Sequence, residues 1–217
     1  MITFLERVTL PLKTRLEGKQ AGFRHCAGAA PTLGPMTTLI AFQGPNFAIL
    51  GADSQITDGD KRIISPSIPK VVKLGKYLVG VAGDVRPGDL LAFNWKPPAY
   101  DGTDPVKFMG RKIIPSIIAT FRDGGYDYAK EGASYSYLIA FAGNVFEIGD
   151  DLSMSQSQDG LYAVGSGSAY ALGYLSGTLS NLTQSEWAQN EIIEALKIAA
   201  KYDVNTSAPF QIEIQAV

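Results

Sequence analysis

The sequence predicts an α+β domain in which two antiparallel sheets stack between helical layers, a four-layer αββα sandwich. Three observations predict it. Short, nearly uncharged β-rich runs arrive in pairs around glycine-containing turns; two stretches carry apolar residues at helical spacing; and the order is strands, helices, strands, helices, so that each sheet has one face for the other sheet and one for helices. With 217 residues, 46% of them hydrophobic, the chain can build one substantial core, burying roughly 70% of the surface an unfolded chain exposes. One domain is expected.

The elements follow in order from Thr37. Thr37 to Phe42 and Phe47 to Ala52 are β-rich runs joined by Gln43-Gly44-Pro45-Asn46, a hairpin connection. Val71 to Leu74 and Tyr77 to Ala82 pair around Gly75-Lys76 and carry little charge, which predicts central, buried strands. Asp89 to Trp95 can form a short helix that Pro97-Pro98 must end. Val106 to Arg122 has Phe108, Ile113, Ile114, Ile117, Ile118 and Phe121 at helical spacing, with Pro115 either kinking the helix or resetting its start. Tyr135 to Ala142 and Asn144 to Gly149 form another hairpin around Gly143, and Leu161 to Val164 is a strand leading into Gly165-Ser166-Gly167-Ser168. Ala169 to Leu175 reads as helix. Ser185 to Tyr202 is the clearest helix, with Ser185 as its cap, Glu186 in its first turn and Trp187, Ile192, Ile193, Leu196, Ile198 and Ala199 facing a core. Phe210 to Val217 closes the chain as a strand.

Composition excludes several function classes. There are 19 basic and 21 acidic residues, a formal charge of -2, and no basic stripe to hold a phosphate backbone, so no nucleic-acid partner is expected. The only histidine and cysteine, His25 and Cys26, leave the body without a His/Cys metal set or a disulfide; no metal or cofactor is expected, and a reducing, cytoplasmic location fits. No run approaches the eighteen or so apolar residues of a spanning helix. Any nucleophile beyond position 26 must be a hydroxyl activated by an amine or a carboxylate.

Residues 1 to 36 differ from the rest. They hold Arg7, Lys13, Arg15, Lys19 and Arg24 against Glu6 and Glu17 and end in a small, turn-rich stretch. A propeptide, a transit signal, sequence upstream of a start at Met36, and an ordinary N-terminal arm all remain open. Met36-Thr37-Thr38 matters because loss of everything through Met36 would make Thr37 terminal, giving one residue both a hydroxyl and a free amine.

Five motifs stand in order: Thr37-Thr38-Leu39-Ile40-Ala41, Gly51-Ala52-Asp53, Pro69-Lys70-Val71, Val81-Ala82-Gly83-Asp84 and Gly165-Ser166-Gly167-Ser168-Ala169-Tyr170. Together they make the chain, from Thr37 to its end, resemble the proteasome β-subunit family and its bacterial HslV-type members, which are N-terminal-nucleophile hydrolases. The resemblance implies a threonine-type peptidase. Thr37 matches the nucleophile, Lys70 the active-site lysine, Asp53 its acidic partner and Gly83 the oxyanion-binding amide. Ser166, Asp203 and Thr206 match the set that orients the terminal amine. Each has an ordinary reading too: Thr37 as a strand-opening β-branched residue, Lys70 as a strand-edge cation, Asp53-Ser54 as turn chemistry, Gly83 as a turn glycine and Asp203 as a turn residue with Asn205.

The resemblance also implies a homo-oligomeric ring acting on polypeptides, fed by a separate ATP-dependent unfoldase. Ile56, Val81 and Val85 fall near family substrate-pocket positions, implying an apolar side chain before the cut. Departures from the family pattern are Met36 where glycine commonly precedes the threonine, an Asp53-to-Lys70 connection about one residue longer than usual, Thr206 in place of serine, and Trp95-Lys96-Pro97-Pro98 interrupting a long helix. Two other readings keep the fold: an amidase or acylase acting on a small amide, and a non-catalytic ring scaffold retaining residues 1 to 36.

Overall fold

The structure is a computed structural model that describes residues 36–58, 61–65, 67–129, 133–178 and 184–216. The proposed leader falls, apart from Met36, outside these residues. Strands β1 (Leu39–Gln43) and β2 (Phe47–Ala52) form the first hairpin, with Leu39 opposite Ala52 and Gln43 opposite Ala48. They read as unbroken apolar runs because both their faces are covered. Leu39, Ala41, Ala48, Leu50 and Ala52 face one core cluster, while Ile40, Phe42, Phe47 and Ile49 face another.

A two-stranded ribbon follows, β3 (Gln55–Asp58) with β4 (Lys61–Ile64). The sequence reading did not anticipate it, since the β4 residues are all exposed and lack the alternation that marks a half-buried strand. β5 (Val71–Leu74), β6 (Tyr77–Gly83), β7 (Tyr135–Phe141), β8 (Asn144–Ile148) and β9 (Met154–Ser155) make a five-stranded antiparallel sheet in chain order. β10 (Leu161–Val164) and β11 (Gln211–Ala216) flank the first hairpin, giving a four-stranded sheet of order β10-β1-β2-β11.

The helices among the described residues are α1 (Val85–Phe93), α2 (Pro105–Phe108), a π-helical turn at Met109–Ile113, α3 (Ile114–Asp123), α4 (Ser168–Thr178) and α5 (Ser185–Tyr202). Three clusters hold the layers together. Leu90, Leu91, Phe108, Ile113, Ile117 and Phe121 of the first helices pack on Val79, Tyr137 and Ile139 of the five-stranded sheet. Leu39 and Leu50 meet Leu78, Leu138 and Val145 between the sheets. Ile40 and Ile49 meet Ala171, Leu175, Ile192 and Leu196 of α4 and α5. The expected four-layer αββα sandwich of two stacked antiparallel sheets is what the chain forms.

Several element-level expectations are corrected. β5 lies at a sheet edge and is only partly buried, so it is not a central strand. Gln184, not Ser185, occupies the N-cap of α5, and it makes no side-chain cap bond. Trp187 is 61% exposed rather than core-facing, because Ala188, Ile192, Ala195 and Ala199 take the buried stripe. Pro115 resets the helix: it stands in the first turn of α3, where its missing N–H costs least, directly after the π turn. Trp95 lies beyond α1 and is buried, edge-on to Tyr77 at 5.9 Å, with its indole N–H donating to Ser116 Oγ at 2.9 Å.

Candidate active site

Sheet register brings distant segments to one end of the four-stranded sheet. Leu39 pairs with both Ala52 and Val164, and Ala52 pairs also with Gln211. The residues just outside these pairs therefore converge: Thr37 and Thr38 before β1, Asp53 after β2, Gly165 to Gly167 after β10, and the segment Asp203 to Ser207 ahead of β11. Lys70 enters from the other sheet, immediately before β5, where its backbone N–H donates to Gln211 Oε1 at 2.8 Å.

Asp53 is completely buried. Its Oδ1 accepts from Thr38 N at 3.1 Å and Lys70 Nζ at 2.7 Å; its Oδ2 accepts from Gln55 N at 2.8 Å and Ser207 N at 3.2 Å. Four donors, one of them cationic, make a carboxylate tolerable where an unpaired one would not be. The Lys70 ammonium spends its three donors on Asp53 Oδ1, Thr37 Oγ1 at 2.7 Å and the Gln55 carbonyl at 2.5 Å. Burial pulls the Lys70 ammonium below its ordinary lysine range, and the nearby Asp53 and Asp203 carboxylates pull the other way.

A second network sits beside the first. Ser166 Oγ donates to Asp203 Oδ2 at 2.8 Å, Thr206 Oγ1 donates to the same oxygen at 2.5 Å, and Asn205 N donates to Asp203 Oδ1 at 3.2 Å. Thr206 Oγ1 lies 2.6 Å from Thr38 Oγ1. The residues expected to orient the Thr37 amine thus do come together, and their hydrogen bonds end on the hydroxyl of the neighbouring threonine. Two glycines permit this closeness. Gly165 has φ +96°, and a Cβ there would stand 2.0 Å from the Thr37 carbonyl oxygen; a Cβ at Gly167 would stand 2.0 Å from Thr38 Oγ1.

Gly83 ends β6 with φ +107°, and its N-terminal neighbours on that strand line a cleft of about 210 Å³ that Thr37 and Lys70 also line. Ile56, Val81 and Val85 line it, together with Ile68, Leu91 and Phe93, and Asp84 and Asp89 add two carboxylates. The sequence reading missed Thr38, Gln55, Ser207 and Gln211. Only Thr38 had a signal, a second hydroxyl beside the first; the others act largely through backbone groups or across sheets.

An ammonium held against a buried hydroxyl, backed by a buried carboxylate and opening on an apolar cleft, is an arrangement that lowers the cost of making an alkoxide. No family model matches the chain. Among curated proteins, it is 26% identical over 182 residues to the ATP-dependent protease subunit HslV of Campylobacter lari and 28% identical over 184 residues to that of Campylobacter hominis, each match covering 79% of this chain and 91% of the relative.

Among solved structures it is similar to BPH of Thiobacillus denitrificans in complex with epoxomicin (TM-score 0.67) and to HslV of Trypanosoma brucei (TM-score 0.63), both at 18% identity. These cover 83% of this chain and 98% and 100% of the respective structures. The fold is that of the N-terminal-nucleophile hydrolases. In sequence the chain resembles the HslV protease subunits of the proteasome β-subunit and HslV-like family, and it shares the fold of BPH and HslV. Among the described residues no helix is long and apolar enough to cross a membrane.

Proposed function

We propose that the protein is a threonine-type endopeptidase whose catalytic domain is residues 37–217 and whose working form begins at Thr37, residues 1–36 having been removed or not made. The observation that carries this reading is the 2.7 Å contact from Lys70 Nζ to Thr37 Oγ1, with the same ammonium on buried Asp53. A cation about 4 Å from a developing alkoxide is worth up to ~4 kcal/mol at an effective dielectric near 20, and more closely placed charges act more strongly.

In the reaction, the freed α-amine of Thr37 accepts the hydroxyl proton as Oγ1 attacks the substrate carbonyl carbon. With an ordinary pKa of about 7.7 to 8.0, such an amine is suited to proton transfer near neutral pH. The Gly83 amide receives the developing oxyanion. The C–N bond breaks as the amine returns its proton to the leaving nitrogen, leaving an ester on Thr37. Water then attacks that ester, the amine taking its proton and passing one back to Oγ1. A nitrogen still in a peptide bond has its lone pair delocalised and cannot do this, so release of the leader acts as a switch.

The likeness to HslV supports assembly into a homo-oligomeric ring served by a separate ATP-dependent unfoldase in the cytoplasm. The apolar cleft wall supports cleavage after apolar side chains. The test combines intact mass with kinetics. Protein made from the full sequence should yield a species beginning at Thr37 that hydrolyses short fluorogenic peptides, fastest with an apolar residue before the cut, and Thr37→Ala should abolish this. Hydrolysis unchanged in Thr37→Ala rejects the mechanism. A persistent full-length inactive chain supports a scaffold, and hydrolysis of small amides without peptides supports an amidase.

A further inference from the structure

We propose that Thr38 is a positioning residue of this site: its hydroxyl carries the ordering of Asp203 and Thr206 to the backbone that presents Thr37. The inference rests on the peptidase reading above and goes beyond the residues which the family resemblance matches to the site.

Thr38 has no solvent exposure. A buried threonine at the mouth of a strand ordinarily turns its methyl to the core and satisfies its hydroxyl locally; this one spends its hydroxyl on a residue 168 positions away. The direction of that bond follows from proton bookkeeping. A hydroxyl has one hydrogen, and that of Thr206 goes to Asp203 Oδ2 at 2.5 Å, so across the 2.6 Å contact Thr38 is the donor and Thr206 the acceptor. The donors run one way, Thr38 to Thr206 to Asp203, with Ser166 Oγ arriving on the same carboxylate oxygen. Such chains polarise one another and order their members more than isolated bonds do.

The backbone of Thr38 serves the other carboxylate. Its N–H donates to Asp53 Oδ1 at 3.1 Å, the oxygen that also holds Lys70 Nζ. One residue therefore ties both acid networks, that of buried Asp53 and that of partly buried Asp203, to the peptide unit that follows Thr37. The space around the hydroxyl is shaped for it: a Cβ at Gly167 would lie 2.0 Å from Thr38 Oγ1, 2.9 Å from Thr206 Oγ1 and 3.1 Å from Asp203 Oδ2. Valine at position 38 would keep shape and β-branching but lose the donor, and with it the side-chain hydrogen bond that ties Thr206, and through it Asp203, to the backbone beside Thr37.

The experiment compares wild type, Thr38→Val, Thr38→Ser and Thr37→Ala as full-length protein, reading intact mass, kcat, KM and the pH profile of kcat with one fluorogenic peptide. Thr38→Val is expected to lower kcat by about tenfold or more with KM nearly unchanged, while Thr38→Ser, which restores the donor, stays close to wild type. The charged groups around Thr37 are Lys70, which is held to Asp53 and acted on by Asp203, with Asp84 and Asp89 lining the same cleft. With the tie between Thr38 and Thr206 lost, the Asp203 network is no longer fixed to the backbone beside Thr37 and its pull on a nearby cation weakens, so the acid limb of the Thr38→Val profile should move to lower pH.

Wild-type kcat and pH profile in Thr38→Val overturn the inference, as does a loss in Thr38→Ser equal to that in Thr38→Val. If Thr38→Val does not fold, Thr38→Ala takes its place in the same comparison. Failure of the underlying reading looks different: hydrolysis then does not depend on Thr37 at all, and the inference falls with it.

Discussion

Lys70 Nζ stands 2.7 Å from Oδ1 of Asp53, a carboxylate with no solvent exposure that also holds three backbone N–H groups. Removing the cation alone leaves that charge buried and unpaired. Lys70→Met is therefore expected to lose about 3–5 kcal/mol of unfolding free energy, and Lys70→Met with Asp53→Asn to recover part of it. Urea denaturation of both variants checks this, and equal losses in the two would show that the pair does not act as a unit.

The same lysine gives stability a defined pH slope. Its folded pKa lies below the ordinary 10.5, chiefly through burial. Between that lowered value and about 10.5, the unfolded chain binds a proton that the folded one does not, so the Lys70 contribution makes stability rise with pH across this window. Urea midpoints measured against pH should show this slope in wild type and lack it in Lys70→Met. Parallel curves would refute it.

Tyrosines under α3 act in the opposite sense. Burial pushes Tyr126 up to about 12 and Tyr137 further still, and Tyr77 near Trp95 up to about 12. Their contribution is fully present below about pH 10, the unfolded value, and is lost as pH rises through the folded values. Phenolate absorbance from these residues should therefore appear together with loss of circular dichroism on alkaline titration. Early, smooth ionisation of all tyrosines in the folded protein would contradict their burial.

Two glycines should respond oppositely to alanine. Gly165→Ala places a Cβ 2.0 Å from the Thr37 carbonyl oxygen on a backbone at φ +96°. The conformation alone costs about 1–3 kcal/mol, and Thr37 must shift as well. Gly173→Ala in α4 meets nothing within 4 Å and should gain about 0.4–1 kcal/mol. Thermal melts of the two variants, with peptide hydrolysis for the first, check both signs; a Gly165→Ala protein with wild-type melting and activity would rule out the close approach.

Much of the architecture was legible in the residues. The hairpins β1–β2, β5–β6 and β7–β8 announce themselves by uncharged runs broken at short turns, and α5 spans Ser185–Tyr202 as its periodicity predicts. The ribbon β3–β4 was not legible because it contributes to none of the three core clusters, and Trp187 was misread because helical spacing marks two adjacent stripes and only packing chooses between them.

The sequence by itself determined which side chains were available: threonine hydroxyls with no histidine or cysteine after position 26, a lysine before a strand, two aspartates at element ends. Only the tertiary structure decided who meets whom. It set Lys70 between Thr37 and Asp53, and it ended the Asp203 and Thr206 network on Thr38. The reason is physical: local pattern encodes periodicity and burial, whereas a contact between residues 168 positions apart depends on sheet register, which is settled by the packing of whole layers.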